Sequence, residues 1–297
     1  MPPRPATFSI VARDPETDAV GVAVHSKFIS VGSVVPFASA DAGAIATQSF
    51  ANVAYGPDGL DHLREGKPAS ETVDALVEAD DEAPQRQVGI IGQDGSVAAF
   101  TGEECFDVAG DIQGETYTVQ GNILENRETL EAMAEAYETT DGGLPEQLLA
   151  ALHAGNDAGG DQRGEQSAAM YVVKPEGGYD GKNDRWIDVR VDDHENPIDE
   201  LERVFRLYDV TLLEREEPDD LGVLEGDTAE AVLETLADLE FYDGTPGPDF
   251  GEDEHEALES FRGMNNFENH DLAVIEDALA RGWDDADGDG EARMVNA

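Results

Sequence analysis

The sequence predicts an α+β fold in which two antiparallel β-sheets pack face to face with helices on their outer surfaces, an αββα sandwich. A small C-terminal three-helix domain follows it. Three observations lead there. Apolar runs of strand length come in hairpins closed by short polar turns; helical patterns come in consecutive pairs; and no strand-helix-strand alternation runs through the chain, which removes a parallel sheet.

Thr7 to Arg13 and Ala19 to Lys27 form the first hairpin, joined by the turn residues Asp14-Pro-Glu-Thr-Asp18. Phe28 to Ala44 reads as an apolar, small-residue loop, and Ala44 to Ser49 as a buried strand ending in polar groups. Pro57 to Gly66 and Pro68 to Asp80 carry helical spacing, with Leu60 and Leu63 on one face and Val73, Leu76 and Val77 on another. Arg86 to Gly92 and Ser96 to Thr101 make a second hairpin around Asp94-Gly95. Tyr117 to Ile123 is a strand, Arg127 to Thr139 and Leu144 to Ala154 a helix pair, Gln166 to Val173 and Trp186 to Val191 two further strands, and Pro197 to Leu207 a helix. The expected domains are an N-terminal extension 1–6, a main domain 7–208, an acidic linker 209–226, a helical unit 227–282 and an acidic tail 283–297. The helical unit contains Thr228 to Leu239, Glu252 to Arg262 and Asp271 to Ala280.

The formal charge is −49, from 67 acidic against 18 basic residues spread over the whole chain. Such a coat keeps a protein dissolved in a salt-rich cytoplasm, where self-repulsion is screened within about 3 Å at molar salt. No basic stripe exists to replace phosphate counterions, so nucleic acid is excluded as a partner. Cys105 is the only cysteine, and no apolar run reaches bilayer length, so the reading is a soluble cytoplasmic protein without membrane partner or cofactor. The Pro-rich residues 1–6 lack the apolar core of a signal peptide.

Candidate chemistry starts at the first hairpin. Equal arms return Thr7 to the level of Ser26 and Lys27, which sets a hydroxyl beside an ammonium. Only four lysines occur, Lys27, Lys67, Lys174 and Lys182, and Lys27 alone is embedded between apolar segments. Gln48, Ser49, Asn52 and Tyr55 at one strand end, with Gln120 and Asn122 at another, offer amides and hydroxyls to orient a small-molecule substrate, or serve as turn and loop caps. Asp161 and Arg163 lie in a Gly-rich loop, where they clamp a substrate carboxylate or order the loop as an ion pair. Asp192, Asp193 and His194 are weak metal-ligand candidates against the alternative of capping the helix at Pro197. His25 reads as structural, and Asp285 to Gly290 begins like a calcium loop that lacks its closing glutamate.

Several of these segments together resemble the domain-of-unknown-function 1028 family: Thr7-Phe-Ser-Ile-Val-Ala-Arg-Asp14, Gly21-Val-Ala-Val-His-Ser-Lys-Phe28, Ala46-Thr-Gln-Ser49 with Asn52 and Tyr55-Gly56, Val119-Gln-Gly-Asn122, Gly159-Gly-Asp-Gln-Arg-Gly164 and Asp188-Val-Arg-Val-Asp-Asp-His194. That resemblance implies a fold like that of N-terminal nucleophile (Ntn) hydrolases. Leu239-Glu-Phe-Tyr-Asp-Gly244, Phe250 and Ala257-Leu-Glu-Ser-Phe261 resemble a peptidoglycan-binding-like helical domain, read as a docking or oligomer-stabilising module in a homo-oligomer. An Ntn hydrolase uses a terminal hydroxyl as nucleophile and its own α-amine as base. The resemblance therefore implies an amidohydrolase acting on a small molecule or small peptide, with Thr7 as nucleophile, Lys27 as electrostatic helper and Asp14 orienting that lysine. Residues 2–6 intervene between the initiator Met1 and Thr7, so the free amine requires cleavage between Ala6 and Thr7. The alternative is a non-catalytic protein that binds a small ligand on the same scaffold, with Thr7 merely the first residue of a strand.

Overall fold

A computed structural model describes residues 7–179, 181–213 and 224–265. The chain divides into two compact units, Met1–Val204 and Phe205–Ala297. Among the described residues, all strands lie in the first unit: β1 Thr7–Arg13, β2 Val20–Ser26, β3 Pro36–Ser39, β4 Gly43–Ser49, β5 Arg86–Gly92, β6 Val97–Thr101, β7 Gly110–Gln113, β8 Tyr117–Asn122, β9 Ser167–Val173 and β10 Arg185–Val191. They form one six-stranded sheet, β10-β9-β2-β1-β8-β7, and one four-stranded sheet, β3-β4-β5-β6, with every pairing antiparallel.

Strands β1, β2 and β8 face β4 and β5 across the interlayer. Helices α1 Tyr55–Arg64 and α2 Ala69–Glu78 cover the smaller sheet, while α3 Glu128–Thr139 and α4 Leu144–Asp157 cover the larger. The expected α+β layering of two antiparallel sheets with helices outside is therefore what the chain adopts. Two strands were not anticipated. β3 falls inside the segment expected to be a loop, and β7 precedes β8 without an alternation signal; both are four-residue edge strands, half-buried, and so carry no two-sided apolar pattern.

Helix α5, Pro197–Leu212, runs through the expected domain boundary at 208/209, and the compact units divide inside it. The second unit contains α6 Gly226–Asp238 and α7 Glu252–Asn265, whose Val232, Leu233, Leu236, Leu258 and Phe261 share one core with Phe241 and Phe250. The third helix expected at Asp271 to Ala280, the acidic tail with its calcium-like loop, and residues 1–6 lie outside the described residues. Among the described residues no helix is long and apolar enough to cross a membrane.

Alternation along β1 decides the layers. Phe8 and Ile10 turn toward the helices, with Phe8 against Gly155 of α4, while Ser9 turns toward the smaller sheet. The interlayer is apolar at one end, where Val11, Val22, Val24, Ala44 and Ile91 pack, and polar at the other. At the polar end Ser9 Oγ donates to Gln48 Oε1 (2.6 Å) and accepts from Gln120 Nε2 (2.6 Å). Gln48 Nε2 donates to Gln87 Oε1 (2.9 Å), as does Asn122 Nδ2 (2.9 Å), and Gln87 Nε2 donates to the Gly121 carbonyl (2.8 Å). All five side chains are buried, so each missing partner would cost about 1–3 kcal/mol.

Gly89 makes room for this network, because a Cβ there would stand 2.1 Å from Gln120 Oε1. Gly89→Ala is accordingly expected to lower stability by about 1–3 kcal/mol in urea titration, with part of the loss recovered in the Gly89→Ala, Gln120→Ala double variant. Unchanged stability in the single variant would contradict the packing described.

His25 faces the helix side of β2 and stacks on Phe8 at 4.7 Å, with both ring nitrogens buried and without a hydrogen bond. Burial lowers its pKa to about 4, against a partial upward pull from Asp161. The unfolded chain, with an ordinary histidine, takes up this proton first, so native stability falls as pH drops from about 6.5 to 4, by about 3 kcal/mol for this group. The stability difference between the wild type and His25→Leu should move by that amount over the same window; a pH-independent difference would refute the burial argument.

Candidate functional site

The polar end of the interlayer opens where β1 begins. Pairing sets Ser167 beside Ser26, Ser26 beside Thr7, and Thr7 beside Asn122, giving one row of polar residues across β9, β2, β1 and β8. Directly paired residues share a sheet face, so their side chains point the same way. Thr7 Oγ1 lies 3.1 Å from Ser26 Oγ, and both residues are buried. The Thr7 carbonyl accepts a long bond from Gln48 Nε2 (3.4 Å). Ser167 Oγ donates to the Phe28 carbonyl and accepts from the Val31 amide, which fixes the segment after β2.

Asn122 donates through Nδ2 to Gln87, while its buried Oδ1 has no hydrogen-bond partner. Gln87 spends its own amide nitrogen on Thr101 and two carbonyls, so it presents only its oxygen and thereby fixes which way Asn122 points. Gln48 Nε2 already serves Thr7 O, Gln87 Oε1 and Gln120 O, so it is not a free donor for an oxyanion.

A cavity of about 340 Å³ is lined by Thr7, Gln48, Ser49 and Arg86, with an apolar wall that includes Phe28, Val31, Val35 and Phe50. Ser49, which lines it at the end of β4, holds left-handed backbone (φ 68°), as does Ile123 (φ 51°) directly after Asn122. Conformations of this kind cost about 1–3 kcal/mol each and concentrate at functional sites. Arg86 begins β5 and donates from Nε to Asp80 (3.0 Å), from Nη1 to the Phe50 carbonyl (2.5 Å) and from Nη2 to Glu82 (2.6 Å). Burial opposes ionisation of Asp80, yet the hydrogen bonds from Arg86 and Asn52 outweigh it and hold the carboxyl well below the usual range.

Of the residues expected at the site, Thr7, Gln48 and Ser49 line this cavity, Ser26 and Asn122 flank Thr7 in register, and Gln120 lies one inward-facing position deeper, bound to Ser9. Asn52 and Tyr55 instead line a second cavity, of about 400 Å³, together with Asp58, Asp61, His62 and Asp80. The Tyr55 hydroxyl is buried there, and burial next to the Asp80 carboxylate pushes its pKa up.

Two expectations need correction, and two readings left open between alternatives are narrowed by the geometry. Asp14 does not orient Lys27, because it sits at the closed end of the hairpin, about 20 Å from Thr7 along β1, and accepts from the Glu16 amide and the Thr17 hydroxyl. Lys27 directs its ammonium to the Glu165 carbonyl (2.6 Å), away from Thr7, since its side chain follows the face opposite to that of Ser26. Asp161 and Arg163 form the loop-ordering pair: the Asp161 carboxylate takes the Arg163 Nε, Nη2 and backbone N–H, and the Lys27 amide (2.8 Å). Asp192, Asp193 and His194 do not converge. Asp193 accepts from Gln166 Nε2, His194 bonds within its own turn, and among the described residues no three metal-ligating side chains come together.

Ser9, Gln87, Ser167 and Arg86 were not anticipated. A signal exists for three of them: each is a polar residue within a buried strand, on the side whose neighbours face the other sheet. Arg86 carries no such signal beyond being a cation close behind the acidic turn Asp80-Asp81-Glu82.

No curated protein matches the chain. A family model described as "Putative peptidoglycan binding domain" matches residues 211–297. Among solved structures, the crystal structure of protein SPO2555 from Silicibacter pomeroyi, itself described as a DUF1028 protein, is 33% identical, covers 69% of this chain and 89% of its own, and superposes with a TM-score of 0.63. The model of the "Family of unknown function (DUF1028)" matches residues 7–201, the segment that contains both sheets and the whole row from Ser167 to Asn122, and the chain belongs to that family.

Proposed function

We propose that the first unit is an Ntn-type hydrolase of a small amide, with Thr7 as nucleophile. One observation carries this reading. Thr7 heads a central strand of one of two face-to-face antiparallel sheets, its hydroxyl bonded to Ser26 and its side facing a cavity.

Cleavage between Ala6 and Thr7 would turn the Thr7 nitrogen into an α-amine of pKa about 8, a base one residue's width from Oγ1. The amine takes the Oγ1 proton as Oγ1 attacks the substrate carbonyl. The C–N bond then breaks, the leaving nitrogen takes that proton, and an ester to Thr7 remains. Water, deprotonated by the same amine, attacks the ester; the C–Oγ1 bond breaks, Oγ1 takes the proton back from the amine, and the acid leaves. Ser26 Oγ orients Oγ1, and the unsatisfied Asn122 Oδ1, on the residue paired with Thr7, is an acceptor suited to the new ammonium.

The second reading is a binding protein on the same scaffold. Its support is that among the described residues no carboxylate, imidazole or ammonium is bonded to the Thr7 hydroxyl. In either reading the C-terminal helices act as a docking module, and the acidic coat suits a salt-rich cytoplasm.

Intact mass and turnover decide between them. The active form is expected to begin at Thr7, and Thr7→Ala should lower turnover of small amides by at least about 10³-fold while the protein stays folded. Full activity in a form that keeps residues 1–6, or in Thr7→Ala, would exclude the nucleophile.

A further inference from the structure

Among the described residues, Arg86 is the only ionisable side chain lining the Thr7 cavity. Asp80 and Glu82 offset its charge, so what Arg86 offers an anion in a chain of net charge −49 is directed N–H donors rather than a net positive field. The Arg86 side chain is only 12% exposed, and its planar fork is fixed by three acceptors: Asp80, the Phe50 carbonyl and Glu82. A guanidinium has five N–H groups, so one on each terminal nitrogen has no acceptor among the described residues. Two such donors can each bond one oxygen of a carboxylate.

The two acidic partners differ. Asp80 is half-buried, at 11% side-chain exposure, and also held by Asn52, which makes it part of the fixed support. Glu82 is 67% exposed, so its bond to Nη2 is a solvent-screened contact that a ligand can weaken or displace.

We propose that Arg86 is a specificity-determining residue that selects ligands bearing a carboxylate, with the apolar wall of Phe28, Val31, Val35 and Phe50 taking an adjoining aliphatic or aromatic group. This deepens the hydrolase reading by naming its substrate class, an amide whose one side carries a carboxylate. The binding step itself does not depend on Thr7 chemistry.

The test is calorimetric titration of the full-length protein with hexanoate and with its neutral isostere hexanamide at one ionic strength. Hexanoate should bind at least about tenfold more tightly than hexanamide. Glu82→Gln, at an exposed position that leaves the Arg86–Asp80 pair intact, should tighten hexanoate by about two- to fivefold and leave hexanamide unchanged. Arg86→Gln, if folded by circular dichroism, should abolish the preference, and Thr7→Ala should retain it. Equal binding of acid and amide, no binding of hexanoate, or a Glu82→Gln variant that binds hexanoate no better overturns the proposal. A retained acid preference in a Thr7→Ala variant with undiminished turnover would sink the nucleophile reading alone.

Discussion

Side-chain amides bridging two buried sheets can be satisfied in only one relative position of those sheets. In this protein Gln48 and Gln87 reach from the smaller sheet to Ser9, Gln120 and Asn122 of the larger, and each amide's donor end is fixed by what its neighbour can accept. Apolar packing of Val11, Val22 and Ile91 would tolerate a small slide of one sheet over the other. The amide network would not, because a shift would strand buried donors and acceptors. The placement of Thr7 against Gln48 and the cavity follows from that constraint.

Much of the fold was legible because its elements are marked locally. Asp94-Gly95 closes a hairpin, apolar residues recur at helical spacing in α3 and α4, and alternation in β1 separates a helix-facing side from a sheet-facing one. The short edge strands β3 and β7 were hidden because a half-buried edge needs no regular pattern. At the site, hairpin register foretold that Thr7 meets Ser26, and the same register rules out Asp14, since a hairpin that joins its open ends carries its turn farthest from them. Lys27 misled through adjacency: one step along a strand reverses the face. The bonds of Arg86, to residues four and six positions back and to the Phe50 carbonyl, depend on how a loop folds over a strand start, which no local spacing encodes.

Charge is used in two ways. The acidic excess covers the surface, whereas the few buried or half-buried cations are tied to specific carboxylates, Arg86 to Asp80 and Arg163 to Asp161. Pairs of this kind add little net stability over apolar residues of equal volume, yet removing one partner is costly, so they hold geometry. One pair fixes the loop beside Lys27; the other supports a wall of the Thr7 cavity.

The position of β1 has a kinetic meaning. It lies inside the six-stranded sheet, hydrogen-bonded along its length to β2 on one side and β8 on the other. Opening such a strand requires both ladders to part, so its amides belong with the most slowly exchanging class, those released only when the whole unit unfolds. Severing the chain before Thr7 would leave those ladders intact, so the strand would remain in place.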